Sequence, residues 1–160
     1  TLGDPLINLA LGEVTNTLCE GEVIQLHRRD DINLSEQTYL EIVRRKTGSL
    51  IGACCRLGGV ISGVDEEKYT ALESFGTNVG TAFQIKDDLL DVQGKPEVTG
   101  KPTGSDKKNN RSTFVSILGE EEAERRLEYE LELSLGCLQK SAGDTTNLEN
   151  LARLIAYRSD

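Results

Sequence analysis

Apolar side chains recur at spacings of three and four along most of the chain. Over residues 6–28 they fall at Ile7, Leu11, Val14 and Leu18, one face of a helix. Residues 36–62 repeat the pattern at Tyr39, Val43, Leu50, Ala53, Leu57 and Val60, and residues 66–92 make a third such segment. The two-residue alternation of strands is absent, and proline occurs only at positions 5, 96 and 102. Punctuation agrees with these limits. Ser35 is placed to cap the second helix, Gly63 to end it, and Asp65 to cap the third, with Glu66 and Glu67 at the positive end of its dipole. Residues 93–110 hold three glycines, two prolines and four lysines and read as a loop. A short helix over 112–118 follows. Gly119 and Glu120–Glu122 then open a charged helix to about 140, and Ser141–Thr145 is a turn. Thr146 with Glu149 makes a capping-box pattern for a last helix to about 158. The fold class predicted is all-α, with long antiparallel helices; the longest, of about 23–28 residues, would measure about 35–42 Å.

Composition narrows what such a bundle can do. Eighteen basic against 27 acidic residues leave a net charge of −9, which argues against a nucleic-acid role. Apolar residues are 37% of the chain and only seven residues are aromatic, thin for a free-standing core of 160 residues. There is no methionine and the chain opens Thr-Leu-Gly-Asp-Pro, so the expectation is a piece of a longer protein. No apolar run approaches the length of a transmembrane helix, and no targeting signal is visible at the start. The four cysteines form no C-x-x-C pair and there is one histidine, so neither a zinc site nor a disulfide framework is expected. Cys54 and Cys55 read as small buried hydrophobes, and reduced thiols as those of a cytoplasmic protein.

The seams turn polar at particular points. The first helix continues its stripe into Glu22 and Gln25. The second carries Lys46 between Val43 and Leu50. The third has a face of Gly76, Gly80, Gln84, Asp87 and Asp91, with Asp88 beside it. Each feature alone has a structural explanation in a solvated end or a snorkelling lysine. The aspartates are harder to dismiss. Asp87 and Asp91, at i and i+4, repel one another and sit where the helix dipole disfavours negative charge. A nearby cation reverses both effects, and an oxygen-only donor set points to Mg²⁺. Lys95, Lys101, Lys107, Lys108 and Arg111 follow within seventeen residues, a clamp for a polyanion such as a diphosphate held through metal. If the helices pack antiparallel about the turn at Gly63, Lys46 and Gln84 lie within about 6 Å along the axis. Glu22 and Gln25 fall near the same end, giving one polar mouth over an apolar and small-residue interior.

At these residues the sequence resembles the trans-isoprenyl diphosphate synthases, or polyprenyl synthetases. FQIKDDLLD, Phe83 to Asp91, is similar to that family's second aspartate-rich motif. KTGSL, Lys46 to Leu50, resembles its lysine-threonine motif, and GKPTGSDKKNNRSTF, Gly100 to Phe114, the loop after the second motif. CEGEVIQL, Cys19 to Leu26, resembles the polar-ended helix before the lysine-threonine motif. The resemblance covers nearly the whole chain and implies an isoprenoid-synthase-type helical bundle. It implies an enzyme that condenses an allylic prenyl diphosphate with isopentenyl diphosphate, head to tail, through magnesium-assisted diphosphate ionisation. By similarity, Asp87 is the principal magnesium ligand, with Asp88 and Asp91 assisting. Lys46 and Lys101 hold the allylic diphosphate, Gln84 orients water or diphosphate oxygens, and Gln25 and Thr47 line the mouth near the reacting carbons. Arg111 stands where the family often has lysine and joins the substrate-binding set. A homodimer is implied as well.

The sequence also departs from the family pattern. A first D-D-x-x-D motif and its neighbouring arginine-rich segment are absent from these 160 residues; Asp30-Asp31 lies in a turn and is not that motif. Residues 1–160 therefore read as the C-terminal portion of a single polyprenyl synthetase domain that does not turn over alone. Two other readings remain. A terpene cyclase shares the ionisation step but is disfavoured by the lysine-threonine motif and the Lys101 loop. A non-catalytic helical subunit or scaffold has no need of an intact diphosphate site. Product chain length is set largely by residues next to the absent motif.

Overall fold

A computed structural model describes residues 3–29, 31, 34–93, 112–141 and 143–159. Among these there is no strand. The elements are α1 (Pro5–His27), α2 (Glu36–Val43), a π-helical turn (Arg44–Gly48), α3 (Ser49–Ile61), α4 (Glu66–Gln93), α5 (Phe114–Leu118), α6 (Glu120–Leu138) and α7 (Thr146–Tyr157). The 93–110 segment, with Lys101, and Arg111 beside it lie outside the described residues, apart from Gln93. Helix starts follow local chemistry. The Asp4 carboxylate accepts the Leu6 N–H at 2.8 Å, Ser35 Oγ accepts that of Thr38 at 3.2 Å, and Asp65 accepts that of Lys68 at 3.1 Å. Gly63, at φ 73°, makes the turn between α3 and α4 that a side chain would disfavour. At α7 the expected box of Thr146 and Glu149 does not form; Thr145 is the N-cap and its side chain makes no capping bond to the backbone. Asp144 accepts the Thr146 N–H at 3.0 Å, while the Thr145 hydroxyl meets Glu149 at 2.8 Å.

The second predicted helix is continuous but carries one extra residue in its middle. The π-helical turn advances the register, so buried positions run Tyr39, Val43, Gly48, Gly52, with a single five-residue step. This is why Leu50, expected in the apolar stripe, is 48% exposed. It also lifts Lys46 out of the seam and turns it toward α1. In α1 the buried residues are Ala10, Val14 and Gly21, and Leu11 is exposed, so its seam is made of smaller residues than the spacing predicted.

α3 and α4 form an antiparallel hairpin whose backbones nearly touch. A Cβ on Gly76 would lie 2.6 Å from the Ile51 carbonyl oxygen and 2.8 Å from Gly52 Cα. One on Gly80 would lie 2.8 Å from Gly48 Cα and 3.1 Å from the Thr47 carbonyl oxygen. The small-residue face of α4 is therefore a helix contact, not the lining of an open interior. Opposite it, Phe75, Val79, Ala82, Ile85 and Leu89 pack on Ala123, Leu127, Leu131 and Leu138 of α6, with Phe114 and Ala152 and Ala156 of α7 closing the core. Ile85 and Phe114 are wholly buried.

One buried charge ties α6 to the π-helical turn. Glu130, fully buried, accepts from Arg44 at 3.1 Å and from Arg126 Nη2 at 2.8 Å, and Arg126 also reaches Glu36 at 3.3 Å. Removing either arginine weakens the pairing of a charge that has no access to water. The cysteines differ from expectation. Cys54 is exposed and Cys55 only half-buried. Burial, with Cys54 adding to it, pushes the Cys55 thiol up to about 11, which makes it a poor nucleophile.

The glycine contact makes a stability prediction. Gly76→Ala gains helix propensity of about 1 kcal/mol but forces backbone apart at about 1–3 kcal/mol, a net loss that lowers Tm by several degrees. Gly136→Ala, on α6 with nothing within 4 Å of its Cβ, raises Tm instead. Thermal unfolding of the two variants measures the difference.

Candidate functional site

The C-terminal end of α1, α2, the π-helical turn, the C-terminal half of α4 and the residues leading into α5 line an open cavity of about 370 Å³. Gln25, Lys46, Thr47, Gln84 and Asp88 all line it, together with Tyr39, Arg28 and Arg29. Gln25, Lys46, Thr47 and Gln84, together with Glu22 on the same wall, are the residues expected at one mouth, and they come together from three helical segments; Asp88, expected as a metal ligand, joins them. Asp87 and Asp91 are not among its lining residues, and Lys101 and Arg111 lie outside the described residues.

Lys46 owes its position to Gly21. A Cβ there would lie 2.8 Å from Lys46 Cγ and from Arg45 Cβ, so the glycine lets the π-helical turn press against α1. The Lys46 ammonium then donates to Gln25 Oε1 and pairs with Glu22. Both partners are the polar continuation of the α1 stripe. The lysine side chain remains 31% exposed, so water screens the pairing and an anion of higher charge can compete for the ammonium.

The aspartates of α4 divide by face. Asp88 continues the Gly76–Gly80–Gln84 row at steps of four and is 3% exposed. Its Oδ2 accepts from the Tyr39 hydroxyl at 2.5 Å and the Phe114 N–H at 2.7 Å, and its Oδ1 accepts from Gln84 Nε2 at 3.3 Å. Asp87, one residue earlier, turns toward the C-terminal segment and pairs with Arg158. That guanidinium also stacks on Phe83, 4.3 Å from the ring centroid, and reaches the Phe83 carbonyl oxygen at 3.5 Å. Asp91 is half-buried in the next turn.

Among the described residues no group of three or more His, Cys, Asp or Glu side chains is placed to hold a metal ion by itself. The donor chemistry nevertheless fits magnesium. Mg²⁺ needs only one or two carboxylates when phosphate oxygens and water complete its octahedron. Asp87 and Asp91 are carboxylates that could supply such oxygens, whereas the Asp88 carboxylate is already engaged by three protein donors. Sequence reasoning missed the Tyr39 hydroxyl, Arg28, Arg29 and Arg158. Tyr39 was legible only as an apolar stripe position, and Arg158 lies 71 residues from Asp87 with no local signal joining them.

The profile of the polyprenyl synthetase family matches residues 4–153. The chain belongs to the polyprenyl synthetase family. This polyprenyl synthetase chain is 35% identical over 127 residues to the farnesyl diphosphate synthase of Geobacillus stearothermophilus, covering 79% of itself and 42% of that protein. It is 41% identical over 105 residues to heptaprenyl diphosphate synthase component 2 of the same organism, covering 66% of itself and 33% of that protein. It superposes with a TM-score of 0.88 and 28% identity on a polyprenyl synthase from Caulobacter crescentus CB15 solved with calcium and isoprenyl diphosphate, covering 98% of itself and 60% of that chain. The chain thus spans less than two thirds of the length of each of these relatives. The fold is the all-α isoprenyl synthase fold. No helix among the described residues is long and apolar enough to cross a membrane.

The Arg158–Asp87 pair makes a binding prediction for this chain. Arg158→Ala releases the carboxylate, and Mn²⁺ affinity measured by electron paramagnetic resonance rises, by up to about fivefold for a partly exposed pair. Unchanged or weaker binding contradicts competition between guanidinium and cation.

Proposed function

We propose that the protein carrying this chain is a trans-prenyltransferase that joins an allylic prenyl diphosphate to isopentenyl diphosphate, and that the cavity at Lys46 and Gln84 receives the allylic diphosphate. The observation that carries the reading is the gathering of Gln25, Lys46, Thr47, Gln84 and Asp88 around one cavity, at the turn of α4 where the aspartate cluster begins. The names of the relatives support the reaction. The Caulobacter relative, bound to calcium and isoprenyl diphosphate, supports a divalent cation together with a diphosphate.

In this reading Asp87 and Asp91 hold magnesium, which when bound stabilises the charge that develops on the departing diphosphate. Asp88 acts through position. Lys46 exchanges its internal partners Glu22 and Gln25 for diphosphate oxygens, and Lys101 and Arg111 add cationic contacts to the same group. Gln84 orients water at the cation. Thr47 and Gln25 face the reacting carbons, and the apolar walls at Leu34, Ile42 and Val43 keep water from the allylic cation. Residues 1–160 form the C-terminal portion of the catalytic domain, and turnover requires a first aspartate-rich motif beyond this sequence.

Thermal unfolding with farnesyl diphosphate or a bisphosphonate tests the reading without requiring turnover. The expected result is a rise in Tm that needs Mg²⁺ and is lost in Lys46→Ala. No shift, or the same shift without Mg²⁺, overturns the site and favours a helical subunit without a diphosphate site.

A further inference from the structure

Gln84 sits one helical turn before Asp88, and their side chains meet through Gln84 Nε2 and Asp88 Oδ1 at 3.3 Å. A carboxylate accepts hydrogen bonds and gives none, so the side-chain amide must present its NH₂ to Asp88. The amide's orientation follows from this partner, as it does wherever a hydrogen-bond network assigns the two ends. The partner is itself held. Asp88 Oδ2 takes the Tyr39 hydroxyl from α2 at 2.5 Å and the Phe114 N–H from the start of α5 at 2.7 Å. The Tyr39 and Phe114 rings pack edge to face with centroids 5.2 Å apart, which locks both donors. Gln84 lines the cavity; one of its two amide N–H groups is given to Asp88, which sets the carbonyl oxygen on the side of the amide away from that carboxylate.

That polarity selects chemistry. A carbonyl oxygen repels diphosphate oxygens, but it coordinates a hard cation or accepts from a water in its shell. We propose that Asp88, pinned by Tyr39, is a positioning residue that fixes the amide of Gln84 with its carbonyl oxygen toward the cation and its bound water. The second aspartate of the cluster then acts through Gln84 and is not a metal ligand. The inference rests on the reading of the cavity as a magnesium–diphosphate site and deepens it. It extends the positioning set to Tyr39.

Asp88→Asn inverts the arrangement. The Asn carbonyl can still accept from Tyr39 and Phe114, while its NH₂ requires the Gln84 carbonyl and turns the Gln84 NH₂ to the cavity. The test is a double-mutant cycle with Asp88→Asn, Gln84→Leu and both together, reading Mn²⁺ affinity in the presence of inorganic diphosphate by electron paramagnetic resonance. Each single variant weakens binding about tenfold, as loss of an outer-shell partner does, and the double variant is no weaker than Gln84→Leu alone. Losses that multiply, or an Asp88→Asn variant that binds like wild type, overturn the proposal. Tyr39→Phe, which keeps the carboxylate, serves where Asp88→Asn does not fold. It gives a smaller loss that likewise disappears in the Gln84→Leu background, and a loss that persists there overturns the proposal.

A second measurement needs no metal. In NMR hydrogen exchange the Gln84 side-chain amide protons are protected in wild type and exchange faster in Asp88→Asn. Equal rates overturn the proposal whatever the Mn²⁺ result. Protected protons in a wild-type protein that binds no Mn²⁺ support the orientation and overturn the functional reading instead.

Discussion

The near-contact of two helix backbones governs the arrangement of this protein. Gly76 and Gly80 of α4 lie against Gly52 and Gly48 with no space for a Cβ between them. Larger residues at these points would push the axes apart and carry Lys46 and Thr47 away from Gln84. The π-helical turn belongs to the same constraint. Its extra residue lets Gly48 and Gly52 face α4 while Lys46 faces α1, which one uninterrupted α-helical register does not allow. The glycine at position 21 then clears the ground on the other side.

From this frame follows a division of labour along α4. Its core face supplies Phe75, Val79, Ile85 and Leu89 to the contact with α6, and its glycine face sets the approach of α3. Beyond the glycines the same row becomes Gln84 and Asp88, which are held inside the protein. Asp87 and Asp91 lie off that row. The negative charges are met differently as well. Among the described residues Asp88 accepts from the Tyr39 hydroxyl, the Phe114 N–H and the Gln84 amide, whereas Asp87 faces a guanidinium from beyond α7. A carboxylate paired at a partly exposed position exchanges its partner for a cation at modest cost, and one buried among three donors does not.

Much of this was legible from the chain alone. The α-helical periods, the caps at Ser35 and Asp65 and the stop at Gly63 rest on local chemistry, and the structure places them as spacing implies. The convergence of Lys46, Gln25 and Gln84 was also legible, because antiparallel helices about a known turn fix what lies level with what. Three things were not. The π-helical turn has no sequence period of its own, so spacing alone puts Leu50 in the buried stripe and Lys46 in the seam. The glycine row looks like the lining of an interior because spacing does not reveal what a face packs against. Arg158 lies 71 residues from Asp87, and Tyr39 and Phe114 lie 49 and 26 residues from Asp88, beyond the reach of any local pattern.

In the proposed reading the glycine-set approach of these helices builds a diphosphate site around Lys46 beside the α4 aspartates. A crystal structure of the protein soaked with Mg²⁺ and inorganic diphosphate tests it most directly. The expected result is diphosphate density in the cavity, in contact with the Lys46 ammonium, with a metal ion between it and Asp87 or Asp91. Diphosphate bound elsewhere, or a Lys46 still paired with Glu22 and Gln25 beside an occupied metal site, would contradict it.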